Sequence, residues 1–320
     1  MKSMIIREQE AGQRLDRLLG KYLNRAGKGF IYKMIRKKNI TLNGKRCDGS
    51  EKLAPGDEIR LFLSDETIEK FSEISVQPVK KTGLDIIYED EQILLVNKPS
   101  GMLSQKAKDS DESLVEYIID YLLTSGSLRR EDLRTFRPSV TNRLDRNTSG
   151  LVAAGKTTAG LQMLSAVFRD RSLHKYYLCA VSGHVKEGRR IDGYLQKNEK
   201  TNQVRILDRK REGSVPIQTE YEPLAESGGY TLLKVNLLTG RSHQIRAHLA
   251  SVGFPVVGDG KYGNADVNRM AKREYGIDSQ MLHSWKMTFP ELEEPFSSLS
   301  GRTFTADPPV EFTRIFGSIH

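Results

Sequence analysis

From residue 84 to 257 the chain carries short apolar runs at 84–88, 93–97, 151–154, 177–181, 203–207, 217–223, 230–237 and 254–257. A parallel pair of strands needs a crossover of a dozen or more residues, usually helical. Few of these runs alternate with helical patterns long enough for regular βαβ units. This region is therefore expected to form one sizeable mixed or antiparallel sheet with helices packed against it, an α+β arrangement. Leu84–Tyr88 and Ile93–Asn97 flank an acidic turn and read as a hairpin running into a Pro-Gly loop. "SLVEYIIDYLL" reads as a helix.

At 320 residues, one or two domains are open. No stretch reaches the roughly 18 consecutive apolar residues of a membrane span, and "MKSMIIREQE" breaks into charge before a signal-peptide core could form. A cytoplasmic protein is expected. Cys47 and Cys179 lie far apart, which suggests neither a disulfide framework nor a zinc site.

The formal charge of +9 is unevenly spread. Residues 1–63 hold 15 Lys/Arg against 7 Asp/Glu, a net +8, so nearly all the excess sits in a fifth of the chain. In "RLDRLLGKYL" the residues Leu15, Leu18, Leu19, Tyr22 and Leu23 make an amphipathic helical stripe, with Arg14, Asp16 and Arg17 on the solvated side. Asp16 is expected to pair with a neighbouring cation or favour the helix start. "GKGFIYKMIRKKN" turns Phe30, Ile31, Met34 and Ile35 inward and Lys33, Arg36, Lys37 and Lys38 outward. Asn43-Gly44 suggests a tight hairpin turn, and Pro55-Gly56-Asp57 leads into a short strand. Two helices and then a hairpin resemble the alpha-L RNA-binding domain over residues 12–63. That resemblance implies a grip on structured RNA through phosphates, by Arg14, Lys33, Arg36, Lys37, Lys38, Lys45 and Arg46. Residues 64–83 read as a linker, with an edge strand near its end.

The tetrapeptide RLDR returns in "TNRLDRNTSGLV", now without a helical stripe. Asn147 to Gly150 is turn chemistry, which places Asp145 on a loop entering the apolar strand Leu151–Ala154. Asp145 is either a turn aspartate held by Arg143 or Arg146, or a catalytic side chain on a loop carried by a rigid sheet. Downstream, "LLTGRSHQIRAHL" gathers Arg241, His243, Gln244, Arg246 and His248. The two histidines read first as hydrogen-bonded structural residues and lack the further ligands of a zinc site. Arg241 and Arg246 need an anionic partner if buried.

"NKPSGMLS", "NRLDRNTSGLVAAGK", "KYYLCAVSG", "LLTGRSHQIRAHL", "PVVGDGKYG" and "LHSW" follow one another in order. This series resembles the RluA-type pseudouridine synthases over about residues 84–317, and a basic domain in front is the usual companion in members that act on large-subunit ribosomal RNA. The resemblance implies a catalytic domain over 84–320, with Asp145 as catalytic aspartate, Tyr177 in the active site and Arg246 as the basic partner. Arg143, Leu144, Arg241 and His243 would contact the flipped uridine. Asn142 stands where histidine is usual, Asn147 where aspartate is common and Ser242 where threonine is common; Asn142 is assigned no acid–base role.

The isomerisation breaks N1–C1′, rotates the uracil and rejoins it through C5. It requires no cofactor or metal, and none is expected. A carboxylate could act at C1′ or C6, or assist loss of a sugar proton. A buried carboxylate needs a cation to stay ionised, and the HQIR segment supplies one. A base inside a duplex must be flipped out. Arg143 can fill the gap and Tyr177 can stack on the uracil, since a phenol is a poor base at rest. The rival readings are a non-catalytic RNA-binding ribosome assembly factor and a different RNA enzyme. A metal nuclease would need clustered carboxylates, and a methyltransferase a glycine-rich cofactor loop. A monomer is the default.

Overall fold

The computed structural model describes residues 1–74, 76–80, 83–198 and 201–318. The N-terminal part comprises β1 (Lys2–Ile5), α1 (Leu15–Tyr22), α2 (Lys28–Arg36), β2 (Ile40–Leu42), β3 (Glu58–Leu61) and α3 (Asp65–Phe71). Its antiparallel sheet has the order β1-β3-β2. The α1 stripe is fully buried against Ile31, Ile35, Ile40, Ile59 and Leu61. Asn43 and Gly44 take φ of 50° and 72°, and Lys45 pairs back to Leu42, which is the tight turn their identities favour.

The expected linker at 64–83 begins instead with α3. Ser64 accepts a hydrogen bond from the Thr67 amide, Ile68 is buried, and Phe71 packs its ring 4.6 Å from that of Phe30. The polar composition hid a helix that buries one narrow face. No strand lies in 76–80 or 83–85; Ser75, Lys81 and Thr82, also read as linker, lie outside the described residues.

The larger part comprises β4 (Ile86–Glu89), β5 (Ile93–Lys98), α4 (Leu114–Thr124), β6 (Ser139–Val140), β7 (Ser149–Gly155), α5 (Thr158–Arg169), β8 (His174–Ser182), β9 (Arg189–Asn198) and β10 (Gln203–Leu207). It continues with β11 (Ser214–Ser227), β12 (Tyr230–Asn236), α6 (Gln244–Ser251), α7 (Ala265–Tyr275), β13 (Leu282–Thr288), β14 (Thr303–Thr305) and α8 (Val310–Phe316). The mixed sheet runs β10-β9-β11-β12-β8-β13-β7-β5-β4, with β14 on β13 and β6 on β7. Among the described residues β13 and β7 pair in parallel, and the other pairings are antiparallel.

Strand β5 shows why the sheet is covered on both sides. Leu94 and Val96 face Leu114, Ile118 and Leu122 of α4, while Ile93 and Leu95 face Leu164 and Val167 of α5. The run at 254–257 forms only an isolated bridge, Val256 to Val181. The two parts touch: the Thr158 amide donates to Gln9 O at 3.1 Å and Gln162 Nε2 to Gly12 O at 3.1 Å. Arg7 also pairs with the buried Asp132. Among the described residues no helix is long and apolar enough to cross a membrane.

Candidate active site

The loop before β7 is braced at both ends. Asn142 accepts from the Ala153 amide at 2.8 Å and donates to Leu151 O at 3.1 Å, so it clamps the strand that follows. Leu144 exchanges two 3.0 Å hydrogen bonds between its backbone and Ser104 Oγ, and its side chain lies in the main core. It was expected at the uridine; the structure places its apolar side chain beneath the loop, 9% exposed. Asp145 O accepts from the Thr148 amide at 3.0 Å, closing the turn. Beneath, the fully buried Lys98 donates to Pro99 O, Met102 O and Arg146 O at 2.9, 2.8 and 3.1 Å. Burial pulls its pKa down to about 7, against the pull of nearby Asp145.

With its backbone fixed, Asp145 presents a half-buried carboxylate. Arg246, in the first turn of α6, reaches it from Nη1 at 2.7 Å. The same guanidinium uses Nε and Nη2 on Asp259, at 2.7 and 2.8 Å. Burial opposes the Arg246 charge, but Asp259 and Asp145 outweigh it and hold the pKa above its usual value. Burial also pushes the Asp259 pKa up, and the Arg246 bonds overcome this and lower it. Tyr262 lies under the guanidinium, 5.3 Å from Arg246 Cζ to the ring centroid.

His243 sits at the entrance of α6 in the left-handed region, φ 53°. Its Nε2 is 3.9 Å from Asp145 Oδ1 and its Nδ1 is 2.9 Å from the Tyr262 hydroxyl. Burial lowers its pKa, with Asp145 acting in the opposite direction. Tyr177 on β8 is 6% exposed, and burial pushes its phenol up to about 12. His248 is buried with Nδ1 2.9 Å from Thr219 Oγ1, the structural role read from its pattern.

The structure therefore brings Asp145, Arg246 and His243 together. Arg143 and Arg241 are exposed and make no ion pair among the described residues. Lys33, Arg36, Lys37, Lys38, Lys45 and Arg46 are likewise exposed and unpaired there. Arg14 differs: it makes two 3.0 Å bonds to Asp16, which also accepts from Tyr32 at 2.8 Å. Asp16 does pair with a neighbouring cation, and it is Arg14 that is drawn away from the free basic set. Sequence reasoning missed Lys98, Asp259 and Tyr262. All three lie inside quoted motif segments, and the signal available was a charged or aromatic residue amid glycine-rich turns.

The description "RNA pseudouridylate synthase" is that of a family whose model matches residues 92–251. The ribosomal large subunit pseudouridine synthase C of Vibrio vulnificus (strain CMCP6) is 31% identical over 301 residues, covering 91% of this chain and 89% of that protein. Its namesake from Escherichia coli (strain K12) is 31% identical over 301 residues, covering 90% and 88%. Among solved structures, human RNA pseudouridylate synthase domain containing 4 has a TM-score of 0.56 at 18% identity and covers 72% of this chain and 91% of that chain, a likeness of fold. The chain belongs to the RNA pseudouridylate synthase family. It is a pseudouridine synthase, an isomerase of uridine in RNA.

Proposed function

We propose that this enzyme isomerises specific uridines of large-subunit (23S) ribosomal RNA, with Asp145 as the nucleophile. The observation that carries this reading is the Arg246 guanidinium shared between the half-buried Asp145 and the buried Asp259. A half-buried carboxylate is thereby held next to a fixed cation. The relatives' printed names supply the RNA class.

Asp145 attacks C1′: a C1′–O bond forms, N1–C1′ breaks, and the electron pair leaves with the uracil. The ring turns, C5 bonds to C1′ as the carboxylate departs, and the C5 proton passes to solvent. Tyr177 serves by stacking, since a phenol with a pKa of about 12 is not a base near neutral pH. Flipping the nucleotide costs a few kcal/mol, and exposed Arg143, two residues from Asp145, is placed to brace the vacated helix. The N-terminal unit over residues 1–63 grips flanking RNA through the exposed cations of α2 and the turn after β2. The protein acts as a monomer in the cytoplasm.

The test is tritium release from RNA labelled at uridine C5. The intact protein releases tritium and Asp145→Asn, which keeps size and removes charge, does not. No release by the intact protein from naked ribosomal RNA or ribosomal precursors would leave a non-catalytic RNA-binding assembly factor as the better reading.

A further inference from the structure

His243 is fixed more tightly than a helix-entry residue needs to be. Its backbone is held at φ 53°, a region that side chains other than glycine and asparagine seldom adopt. Such strain persists where the surroundings over-determine it. Here they do: the imidazole meets the Tyr262 ring edge-on, with centroids 5.7 Å apart, and Nδ1 lies 2.9 Å from the Tyr262 hydroxyl.

The neighbours also favour one tautomer of the imidazole. The Val204 amide, on β10, donates to the Tyr262 oxygen at 2.9 Å. That hydroxyl is bonded to no carbonyl or carboxylate among the described residues, so the tautomer that satisfies its proton within the fold has it donated to His243 Nδ1. Nδ1 is then an acceptor and the ring proton sits on Nε2. Nε2 lies 3.9 Å from Asp145 Oδ1, too far for a hydrogen bond, and has no hydrogen-bond partner among the described residues, so this N–H is uncommitted.

Resting on the reading of Asp145 as nucleophile, we infer that His243 Nε2–H is the hydrogen-bond donor to a carbonyl oxygen of the uracil as it leaves C1′. When N1–C1′ breaks, the pair received by the ring spreads onto O2 and O4. O2 is attached to the carbon next to N1, hence close to the carboxylate that meets C1′. A donor fixed beside that carboxylate stabilises the detached ring without transferring a proton. The histidine is suited to this because burial, with Arg246 and Lys261 acting the same way, outweighs the opposite pull of Asp145 and Asp259, lowers its pKa and favours the uncharged imidazole. An imidazolium would pair with Asp145 and blunt the nucleophile; a neutral donor does not.

The test crosses enzyme variants with altered uracils. His243→Leu removes the donor, His243→Gln restores an amide N–H, and the target uridine is replaced by 2-thiouridine or 4-thiouridine, whose sulfur accepts hydrogen bonds poorly. Single-turnover rates are measured at saturating enzyme. On ordinary RNA His243→Leu is expected to be roughly 100-fold slower with RNA affinity unchanged, the scale of a lost oxyanion donor. His243→Gln is expected to recover most of this. One thio substitution should slow the intact enzyme and add nothing in His243→Leu, because the bond it weakens is already gone. If both thio effects are as large in His243→Leu as in the intact enzyme, the assignment fails. Should His243→Leu lose RNA affinity or melt early, the same comparison made with His243→Gln decides: an altered thio effect upholds the donor, an unaltered one overturns it. Absence of tritium release by the intact protein would instead defeat the reading of Asp145.

Discussion

Arg246 bonds Asp259 through Nε and Nη2, at 2.7 and 2.8 Å, leaving Nη1 for Asp145 at 2.7 Å. The bidentate fork on Asp259 fixes the plane of the guanidinium, and that plane fixes where Nη1 points. Asp259 is held in turn by the amides of Lys261 and Tyr262, at 2.8 and 3.1 Å. Orientation therefore runs from a backbone turn through the buried Asp259 to the half-buried Asp145.

Replacing Asp259 by Asn is expected to damage catalysis without touching RNA. An amide can accept only part of the fork, so Arg246 tilts and Asp145 loses its alignment. A displacement on the order of 1 Å costs about 100-fold in rate. Removing one partner of a buried ion pair costs about 3–5 kcal/mol of stability. Single-turnover kinetics and thermal melting check both; an unchanged rate would show that Asp145 needs no anchored cation.

Arg36, Lys37 and Lys38 project from the end of α2 and the turn after it, unpaired among the described residues. If they meet the phosphates of structured RNA, Ala at all three should lower the slope of log affinity against log salt by about 3, at about 0.9 per contact on a duplex. The melting temperature should stay put because all three are exposed. Equal weakening at every salt concentration would mean that the helix surface contributes something other than charge.

Parts of this arrangement were legible because the physics was local. The α1 stripe, the Asn43-Gly44 turn and the β5 run each declare themselves within a few residues. Strand β9 did not, because its hairpin with β10 is largely solvated and its own residues, RRIDGYLQKN, hold no apolar run. Helix α6 buries nearly its whole circumference, including Gln244, Arg246 and His248, so no amphipathic stripe marks it. Asp145 and Arg246 could be named from the motif series, yet Asp259 read as one acid in a glycine-rich turn. Its meaning lies in a fork across 13 residues that only the tertiary structure closes.

Strand β13 escaped notice because polar His283 and Ser284 interrupt it while fully buried. His283 shares a 2.9 Å hydrogen bond with Ser149 Oγ and donates from Nε2 to Ala306 O at 3.0 Å. Burial lowers its pKa from 6.5 to about 4, against the Ala306 bond and Asp307. The unfolded chain thus takes up the proton first as pH falls. Stability from this site is complete above about 6.5 and is lost as pH drops towards 4, by roughly 3 kcal/mol in all. Denaturant midpoints between pH 7 and 4 should show this fall, and His283→Asn should flatten it while being less stable at pH 7. A fall of the same size in the variant would assign it to other groups.

Gly150, the second residue of β7, has φ 106°, and a Cβ there would lie 2.2 Å from the Ser284 carbonyl oxygen. That oxygen belongs to backbone held in register, since Ser284 pairs with Gly150 and His283 with Ser149 in the parallel contact between β13 and β7. Neither strand can retreat without parting the sheet next to the Asp145 loop. Gly213 makes the control: it also has positive φ, 71°, but a Cβ there would meet nothing within 4 Å. Gly213→Ala should cost only the conformational penalty of about 1–2 kcal/mol. Gly150→Ala adds a clash with immovable backbone and should exceed about 4 kcal/mol, in the range that strain at a special backbone position produces. Chemical denaturation of the pair separates the contributions: if Gly150→Ala costs no more than Gly213→Ala, β13 and β7 are free to slide, and the loop carrying Asp145 is not fixed by the sheet beneath it.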